Sequence, residues 1–212
     1  MQYFWLNRKD NNKLIVFFNG WGMDEKSVQH MDYEDFDFVA FFDYRNIEIN
    51  EKVFDEINSY KEIYVAGWSM GVMMSTLFEN KINNIVSKTA IAGTPTPIDD
   101  KFGIPTKIYD LTANNFNDLS KKKFLRNMFA VDNSKFINRT TEELKEELIA
   151  QKGYKAIETN FQKAIIPTFD KVIPTQNQLN YWEKQPDTKI KTVECGHYPF
   201  FALRNWSKII NG

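Results

Sequence analysis

The residues best suited to chemistry lie at 67–71, where the chain reads Gly-Trp-Ser-Met-Gly. A short strand-like run, Ile63–Ala66, comes before this pentapeptide, and an apolar run compatible with a helix begins at Met70. The pattern Gly-x-Ser-x-Gly between a strand and a helix is typical of a nucleophile elbow, a tight turn that exposes a serine hydroxyl. The alternative is an ordinary helix start with Ser69 as its N-cap. The context favours Ser69 as a nucleophile.

A histidine is the expected base for this serine, because a hydroxyl is a weak nucleophile until a neighbouring imidazole takes its proton. The chain has two histidines, His30 and His197. His30 falls within or just after an early predicted helix, whereas His197 follows the last predicted strand. A lone histidine is more often an ordinary polar residue, but the base of an elbow serine lies after the final strand. We therefore predict that His197 is the base.

An aspartate is expected to hold the second imidazole nitrogen and to stabilise the imidazolium. The candidates near strand ends are Asp43, Asp99, Asp100 and Asp170. Asp43 precedes the serine in the chain. Asp99 and Asp100 lie in a proline-rich segment that is predicted to leave the sheet. Most aspartates after a strand only form turns, but Asp170 gives the chain order Ser, Asp, His that α/β-hydrolases share. Asp170 is the predicted acid.

Two backbone N–H groups are expected to receive the negative charge that develops on the attacked carbonyl oxygen. One is the N–H of Met70, the residue after the predicted nucleophile, and the other comes from the loop after the earlier buried strand. That loop reads Asn-Gly-Trp-Gly at 19–22, and Trp21 is the predicted donor. An ordinary glycine turn is the alternative, but it does not explain why the loop would face the elbow.

Strand and helix patterns alternate along residues 1–94 and again from 161 to 212, which predicts a mostly parallel, twisted sheet flanked by helices. The continuous apolar run Leu14–Phe18 is typical of a strand buried on both faces. Residues 95–160 break this rhythm and carry helical patterns, one of them opened by a capping box. We predict an α/β-hydrolase fold. Its core is 1–94 and 161–212, and 95–160 is a small helical cap inserted before the strand that carries Asp170.

Composition and charge narrow the class of protein. The chain has 212 residues, of which 42% are hydrophobic and 26% charged, as in an ordinary globular protein, and the formal net charge is -1. So small a net charge gives no reason to expect a nucleic-acid or membrane partner. The aromatic content of 15% fits an apolar pocket, although a large core is the simpler explanation.

Cysteine and histidine are scarce in this chain. Cys195 is the one cysteine, so no intramolecular disulfide can form, which indicates a reducing compartment. The N-terminus has neither a basic region nor a long apolar stretch, so we expect no signal peptide and a cytoplasmic protein. Two distant histidines and one cysteine are too few for a zinc site, and we expect no metal and no cofactor.

Four segments give the chain a resemblance to a known family: Phe17–Asp24, Ala66–Val72, Gly93–Pro105 and Gly196–Phe200. On these segments the chain resembles the α/β-hydrolase superfamily over nearly its whole length. More narrowly, it is similar to the BioG-type pimeloyl-acyl-carrier-protein methyl ester esterases. The third segment is the most discriminating, because catalysis does not demand it.

The resemblance implies a reaction, a partner and a set of roles. The reaction removes the methyl group from a pimeloyl ester carried on acyl carrier protein, which ends chain assembly for biotin. By the resemblance, Ser69, Asp170 and His197 form the catalytic triad. Trp21 and Met70 supply the oxyanion hole.

The chain departs from the wider pattern at the oxyanion loop. Where many hydrolases have His-Gly before the tryptophan, this chain has Asn19-Gly20. The backbone donor is unaffected by this change, whereas the side-chain contacts of the loop have to differ.

An acidic carrier protein needs a basic surface on its enzyme. Lys121, Lys122, Lys123 and Arg126 lie together in the predicted cap. Our hypothesis is that these cations dock the carrier. The alternative is a solvated lysine face over the core of the cap.

Apolar side chains near the elbow and in the cap are expected to line the acyl channel. The predicted substrate-binding residues are Trp21, Trp68, Phe124 and Met128.

Two other functions remain open from the sequence. A generic carboxylesterase or acyl thioesterase would use the same triad on another acyl group, because the pocket and not the triad sets the substrate. A non-catalytic binding protein on a hydrolase scaffold is the other alternative. A missing triad residue would have favoured it, and none is missing.

Overall fold

A seven-stranded sheet forms the centre of the computed structural model, which describes residues 1–129 and 139–212. The strands are β1 (Gln2–Asn7), β2 (Lys13–Phe18), β3 (Phe36–Phe42), β4 (Glu62–Trp68), β5 (Ile85–Ile91), β6 (Lys163–Pro167) and β7 (Lys189–Val193). Their order across the sheet is β1-β3-β2-β4-β5-β6-β7. The edge strand β1 pairs antiparallel with β3, and the other pairs are parallel. The predicted mostly parallel sheet is therefore confirmed.

Helices connect the strands and flank the sheet. They are α1 (Lys52–Ile57), α2 (Met70–Phe78), α3 (Thr106–Asn114), α4 (Asp118–Phe129), α5 (Thr141–Gln151), α6 (Thr175–Trp182), α7 (Phe200–Leu203) and α8 (Trp206–Ile210). Two short 3-10 helices, Glu25–Val28 and Glu79–Lys81, complete the regular structure of the described residues. In those residues no helix combines the length and the apolar composition needed to cross a membrane.

Strand β2 lies at the centre of the core, between β3 and β4. Its five apolar residues, Leu14–Phe18, are fully buried. A parallel strand that is covered on both faces has no solvent side, so its sequence reads as a continuous apolar run and not as an alternation. The Phe18 ring stacks on Phe41 of β3 and on Phe78 of α2, which ties the sheet to the helix that follows the elbow.

Among the described residues between β5 and β6, in the region predicted as a cap, there are three helices, α3, α4 and α5, and we call them the cap. Residues 130–138 of that region lie outside the described residues. Helix α5 begins with the capping box that the sequence predicted: the Thr140 hydroxyl accepts the Glu143 N–H, and the Glu143 carboxylate accepts the Thr140 N–H. The buried side chains of Leu144 and Leu148 join the cap to the main core.

Candidate active site

Ser69 occupies the turn between β4 and α2 in a backbone conformation that only a tight turn imposes. Its φ is 56° and its ψ is -122°, a strained combination for a residue with a side chain. A Cβ atom on Gly71 would lie 2.0 Å from the Phe18 carbonyl oxygen, and one on Gly67 would lie 2.7 Å from the Gly71 carbonyl oxygen. Only glycines at these two positions let α2 pack directly against the sheet. The turn has the geometry of a nucleophile elbow.

Three predicted site residues meet in one hydrogen-bonded line at this turn. His197 Nε2 lies 2.9 Å from Ser69 Oγ, and His197 Nδ1 lies 2.7 Å from Asp170 Oδ2. The side chains of His197 and Asp170 are fully buried. With Nδ1–H donated to the carboxylate, the Nε2 lone pair is free to accept the hydroxyl proton. The arrangement can activate a serine for attack on a carbonyl carbon.

The Asp170 carboxylate is held by groups beyond the imidazole. Its Oδ1 accepts the N–H groups of Val172 and Ile173 at 2.8 and 3.0 Å. Its Oδ2 accepts an N–H of the buried Gln178 amide at 2.8 Å. Sequence reasoning missed Gln178, which lies on α6, eight residues after the acid. The turn after β6 and its helix together fix the carboxylate toward His197.

The two residues predicted to supply the oxyanion donors line the same cavity as Ser69. Met70 is the first residue of α2, so its N–H has no acceptor four residues earlier in the helix. Trp21 lies in the loop after β2 and lines the cavity together with Ser69 and Met70. A Cβ on Gly20 would lie 3.0 Å from the ring of Trp68, so this loop passes directly beside the elbow.

Asn19 is the position at which this chain departs from the wider pattern, and its side chain stabilises the loop after β2 by hydrogen bonds. Its Nδ2 donates to the Asp24 carbonyl at 2.7 Å and to Ser27 Oγ at 2.9 Å, while its Oδ1 accepts the Gly20 N–H at 3.0 Å. These bonds hold the start of the loop against the 3-10 helix that follows it. The Asn19 side chain thus shapes the loop by bonding to the backbone on either side of Trp21 and to Ser27.

A cavity of about 370 Å³ opens above Ser69, between the sheet and the cap. Three predicted substrate residues, Trp21, Phe124 and Met128, contribute to its wall. The Trp21 ring meets the Phe124 ring edge-on, with 4.5 Å between centroids. The remaining apolar lining comes from α2, from the segment before α3, from the cap and from the loop after β6 that carries Asp170, which we call the acid loop: Met70, Ile104, Ile108, Tyr109, Leu111, Leu148 and Val172. The cavity suits an apolar acyl chain that ends at the serine.

Trp68 lies elsewhere than the sequence predicted. It is fully buried behind the site and is absent from the cavity wall. Its indole N–H donates to the His197 carbonyl at 3.0 Å, and its ring meets those of Tyr198 and Phe200 edge-on. Because Trp68 immediately precedes the elbow on a buried strand, its side chain points into the core. We correct its role from substrate binding to support of the His197 loop.

The four predicted docking cations differ in their surroundings. Lys122, Lys123 and Arg126 are exposed on α4, whereas Lys121 is half-buried and its Nζ donates to the Arg139 carbonyl at 2.7 Å. Lys123 also reaches the cavity, as does Lys171 from the acid loop, which the sequence did not single out. In residues 1–129 and 139–212 there is no group of three His, Cys, Asp or Glu side chains arranged to hold a metal ion.

A family model described as pimeloyl-ACP methyl esterase BioG matches residues 1–209. The chain belongs to the BioG family. The family resemblance predicted from the sequence is confirmed, and the family is described as one of esterases. The crystal structure of BioG from Haemophilus influenzae superposes with a TM-score of 0.87 at 28% identity, covering 99% of this chain and 100% of that one.

One further solved structure and one curated protein are also similar to this chain. A lipase-esterase related protein from Clostridium acetobutylicum ATCC 824 has a TM-score of 0.67 at 15% identity, with 94% of this chain and 93% of that chain covered. At that identity the likeness shows the α/β-hydrolase fold alone, which confirms the predicted fold class. Among curated proteins, malonyl-[acyl-carrier protein] O-methyltransferase of Bacteroides fragilis (strain 638R) is 35% identical over 195 residues. That match takes in 87% of this chain but 39% of the longer relative.

Proposed function

We propose that this BioG-family chain is a serine ester hydrolase that removes the methyl group from pimeloyl-[acyl-carrier protein] methyl ester in biotin biosynthesis. The observation that carries the proposal is the line from Ser69 through His197 to Asp170, with separations of 2.9 and 2.7 Å, at the base of an apolar cavity. The single cysteine, Cys195, fits the cytoplasm as the place of this reaction.

The mechanism begins when His197 Nε2 takes the Ser69 proton while Oγ attacks the ester carbonyl carbon. The negative charge on the carbonyl oxygen is stabilised by the N–H groups of Trp21 and Met70. The imidazolium, held by Asp170, then gives its proton to the departing methoxy oxygen, and methanol leaves an acyl-serine. Water enters, loses a proton to His197 and attacks the acyl-serine, which releases the free carboxylate and restores the serine hydroxyl.

The cavity supports an acyl chain as the ligand. Its volume of about 370 Å³ falls within the usual range of small-molecule sites, roughly 300–1,000 Å³. Side chains from α3, α4 and α5 supply most of its apolar lining. Burial of methylene groups against them contributes ~0.8 kcal/mol each. With the methyl ester at Ser69, the other end of the acyl chain would extend past the cap toward solvent.

The Bacteroides fragilis relative supports a carrier-bound methyl ester as the substrate. Its name describes a methyltransferase that acts on malonyl-[acyl-carrier protein], and this chain matches 39% of its length. The O-methyl group that such an enzyme adds is the group that the proposed esterase removes. We propose that the methyltransferase activity of that relative lies outside the matched part, because the matched part corresponds to the fold that carries Ser69.

Acyl carrier protein is the proposed partner, and the exposed cations on α4 are its proposed docking surface. Lys122 and Arg126 are four residues apart, so they share one face of the helix. Lys123 lies between that face and the cavity. A carrier held there would have its acyl chain close to the mouth above Ser69.

The deciding experiment is hydrolysis of pimeloyl-[acyl-carrier protein] methyl ester by the wild type, by Ser69→Ala and by Ser75→Ala. Ser75 is a matched control, since it is also buried but donates to the Val72 carbonyl within α2. We expect wild-type and Ser75→Ala activity, and a loss of roughly 10⁴-fold or more in Ser69→Ala.

The other results separate the alternatives. A wild type that fails on the carrier-bound ester but cleaves nitrophenyl butyrate through Ser69 would be a generic carboxylesterase or acyl thioesterase. No cleavage of either ester would identify a non-catalytic protein.

A further inference from the structure

Glu147, on the cap helix α5, is a fully buried carboxylate outside the triad. Its Oε1 accepts the Tyr44 N–H at 2.8 Å, and its Oε2 accepts the Gly22 N–H at 3.1 Å. Arg139 donates to the same Oε2 at 2.5 Å. A buried charge is costly unless it is paired and hydrogen-bonded. The carboxylate therefore depends on these three partners, and two of them are backbone groups of distant segments.

One of those backbone groups belongs to the oxyanion loop. Gly22 directly follows Trp21, so the hydrogen bond from Gly22 to Glu147 fixes the peptide that joins the two residues. The Trp21 indole N–H donates to the Leu144 carbonyl, one turn earlier on the same helix, at 3.0 Å. Gly22 has a φ of 75°, and a Cβ there would lie 3.0 Å from the Leu144 side chain. Helix α5 thus holds the loop at two points, the side chain of Trp21 and the N–H of the residue that follows it.

The second backbone group leads to the other end of the same loop. Tyr44 donates its N–H to Glu147, and its hydroxyl lies 3.0 Å from the Asn19 carbonyl and 2.9 Å from the Phe41 carbonyl. Asn19 is the residue at which the loop leaves β2. The carboxylate therefore connects the cap to the start and to the middle of the loop.

A chain of ion pairs balances the negative charge of the Glu147 carboxylate. Arg139 bridges Glu147 to Asp43, with its Nη2 3.0 Å from Asp43 Oδ1, and Arg45 binds the other oxygen of Asp43 at 2.8 Å. Asp43 follows β3 at the carboxyl edge of the sheet. These pairs supply the charge balance for Glu147, and they do not themselves reach the loop of Trp21.

We propose that Glu147 is a positioning residue for the oxyanion hole: by accepting the Gly22 N–H, it sets the direction in which the preceding Trp21 N–H points. This inference rests on the proposed function, because it takes the Trp21 N–H to be an oxyanion donor. An oxyanion bond forms fully only in the transition state. A mispositioned donor therefore lowers kcat and leaves KM almost unchanged.

Glu147→Gln tests the proposal with little change in volume. A glutamine has one acceptor oxygen, so either the Gly22 N–H or the Tyr44 N–H meets an amide NH₂ group in place of an acceptor. We expect kcat for nitrophenyl butyrate to fall about 10- to 100-fold, with KM within about twofold. An alkyl trifluoromethyl ketone, which forms an oxyanion when Ser69 adds to it, should bind more weakly by a similar factor.

Glu146→Gln is the matched control. Glu146 is the adjacent residue on α5, it is exposed, and it contacts Arg45 at 3.3 Å. Removal of its charge should leave kcat and the affinity for the ketone within about twofold of the wild type.

A second variant covers the case in which Glu147→Gln does not fold. Replacement of a buried ion pair by apolar residues of similar size often preserves stability, so Arg139→Met combined with Glu147→Leu removes the acceptor together with its charge partner. The same selective loss of kcat and of ketone affinity is expected.

Three results would overturn the inference. Wild-type kcat in a folded protein with Arg139→Met and Glu147→Leu, which offers the Gly22 N–H no acceptor at this position, would refute the positioning role. A fall in kcat with unchanged ketone affinity would identify Glu147 as a plain structural anchor of the cap. A wild type that cleaves neither nitrophenyl butyrate nor the carrier-bound ester would overturn the proposed function and this inference with it. The first of these results, in an enzyme whose activity depends on Ser69, would overturn the inference alone.

Discussion

Gln178 is a fully buried residue whose amide holds the Asp170 carboxylate. Its Nε2 donates to Asp170 Oδ2 and to the Ile173 carbonyl, each at 2.8 Å. Gln178→Leu nearly keeps the volume but removes both bonds, so the carboxylate is held less firmly against His197. We expect kcat to fall about tenfold with KM within about twofold, since a hydrogen bond to a charged group contributes ~1.5–3 kcal/mol. Steady-state kinetics with nitrophenyl butyrate measure both constants.

Gln176→Leu is the control for that variant, because Gln176 is an exposed residue of the same helix and bonds only to Asn180 at 2.9 Å among the described contacts. Its kcat should equal that of the wild type. A wild-type kcat in Gln178→Leu as well would remove Gln178 from the support of the acid.

Single residues differ in how far the sequence alone reveals them. Ser69, Asp170 and His197 could be selected from residue type and from their order after strands, and the structure brings them within hydrogen-bond distance. Glu147 could not be selected in this way, because a glutamate in a helical pattern is expected to be solvated. Its two backbone partners, Gly22 and Tyr44, lie more than one hundred positions away, so its burial follows from how α5 packs on the core.

At the scale of elements, the contact between α2 and β2 depends on the absence of a side chain at one position. A Cβ on Gly71 would meet the backbone of Phe18 at 2.0 Å, where neither atom can move without shifting the helix or the strand. We expect Gly71→Ala to lower the free energy of unfolding by ~2 kcal/mol or more, because overpacking of this kind forces backbone shifts. Urea denaturation followed by circular dichroism measures the change.

Gly153→Ala supplies the comparison at the end of α5. A Cβ on Gly153 would come no closer than 3.3 Å to a carbonyl oxygen at an exposed site. This variant should change stability by less than about 1 kcal/mol. Equal denaturation midpoints for the two alanine variants would contradict the packing argument at the elbow.

The elements themselves were largely predictable, and their arrangement was less so. Continuous apolar runs identified β2 and β4, and a capping-box pattern identified the start of α5. The antiparallel pairing of β1 with β3 was not evident, because strand order is set by the whole sheet and not by the composition of one strand. The predicted role of Trp68 was wrong for a similar reason: its position next to Ser69 does not fix the direction of its side chain, which points into the core.

At the scale of the whole molecule, two parts of the chain together form the wall of the cavity. The sheet contributes Ser69 and the loop of Trp21, and the cap contributes most of the apolar wall. The sequence indicated both parts but not their spacing, which follows from tertiary contacts such as the hydrogen bond between Trp21 and Leu144. We therefore expect the packing of the cap against the core to determine which substrates fit the cavity.

The exposed cations of α4 give the proposed partner a direct test at this scale. In Lys122→Glu combined with Arg126→Glu, two charges on one helix face are reversed, while Lys121 keeps its bond to the Arg139 carbonyl. We expect KM for pimeloyl-[acyl-carrier protein] methyl ester to rise about tenfold at low salt, and the rise to shrink as salt screens the charges. KM for nitrophenyl butyrate should stay within about twofold, because that ester needs no carrier.

Lys9→Glu combined with Lys61→Glu makes the same change of charge at the opposite edge of the sheet. Lys61 directly precedes β4, whose other end leads into Ser69, and the Lys9 N–H bonds to Asp37 near the start of β3. A general effect of net charge on an acidic carrier would raise KM equally in both double variants and would refute docking on α4. A rise confined to the α4 variant and to the carrier-bound ester would mean that the carrier binds on the cap, beside the mouth of the cavity.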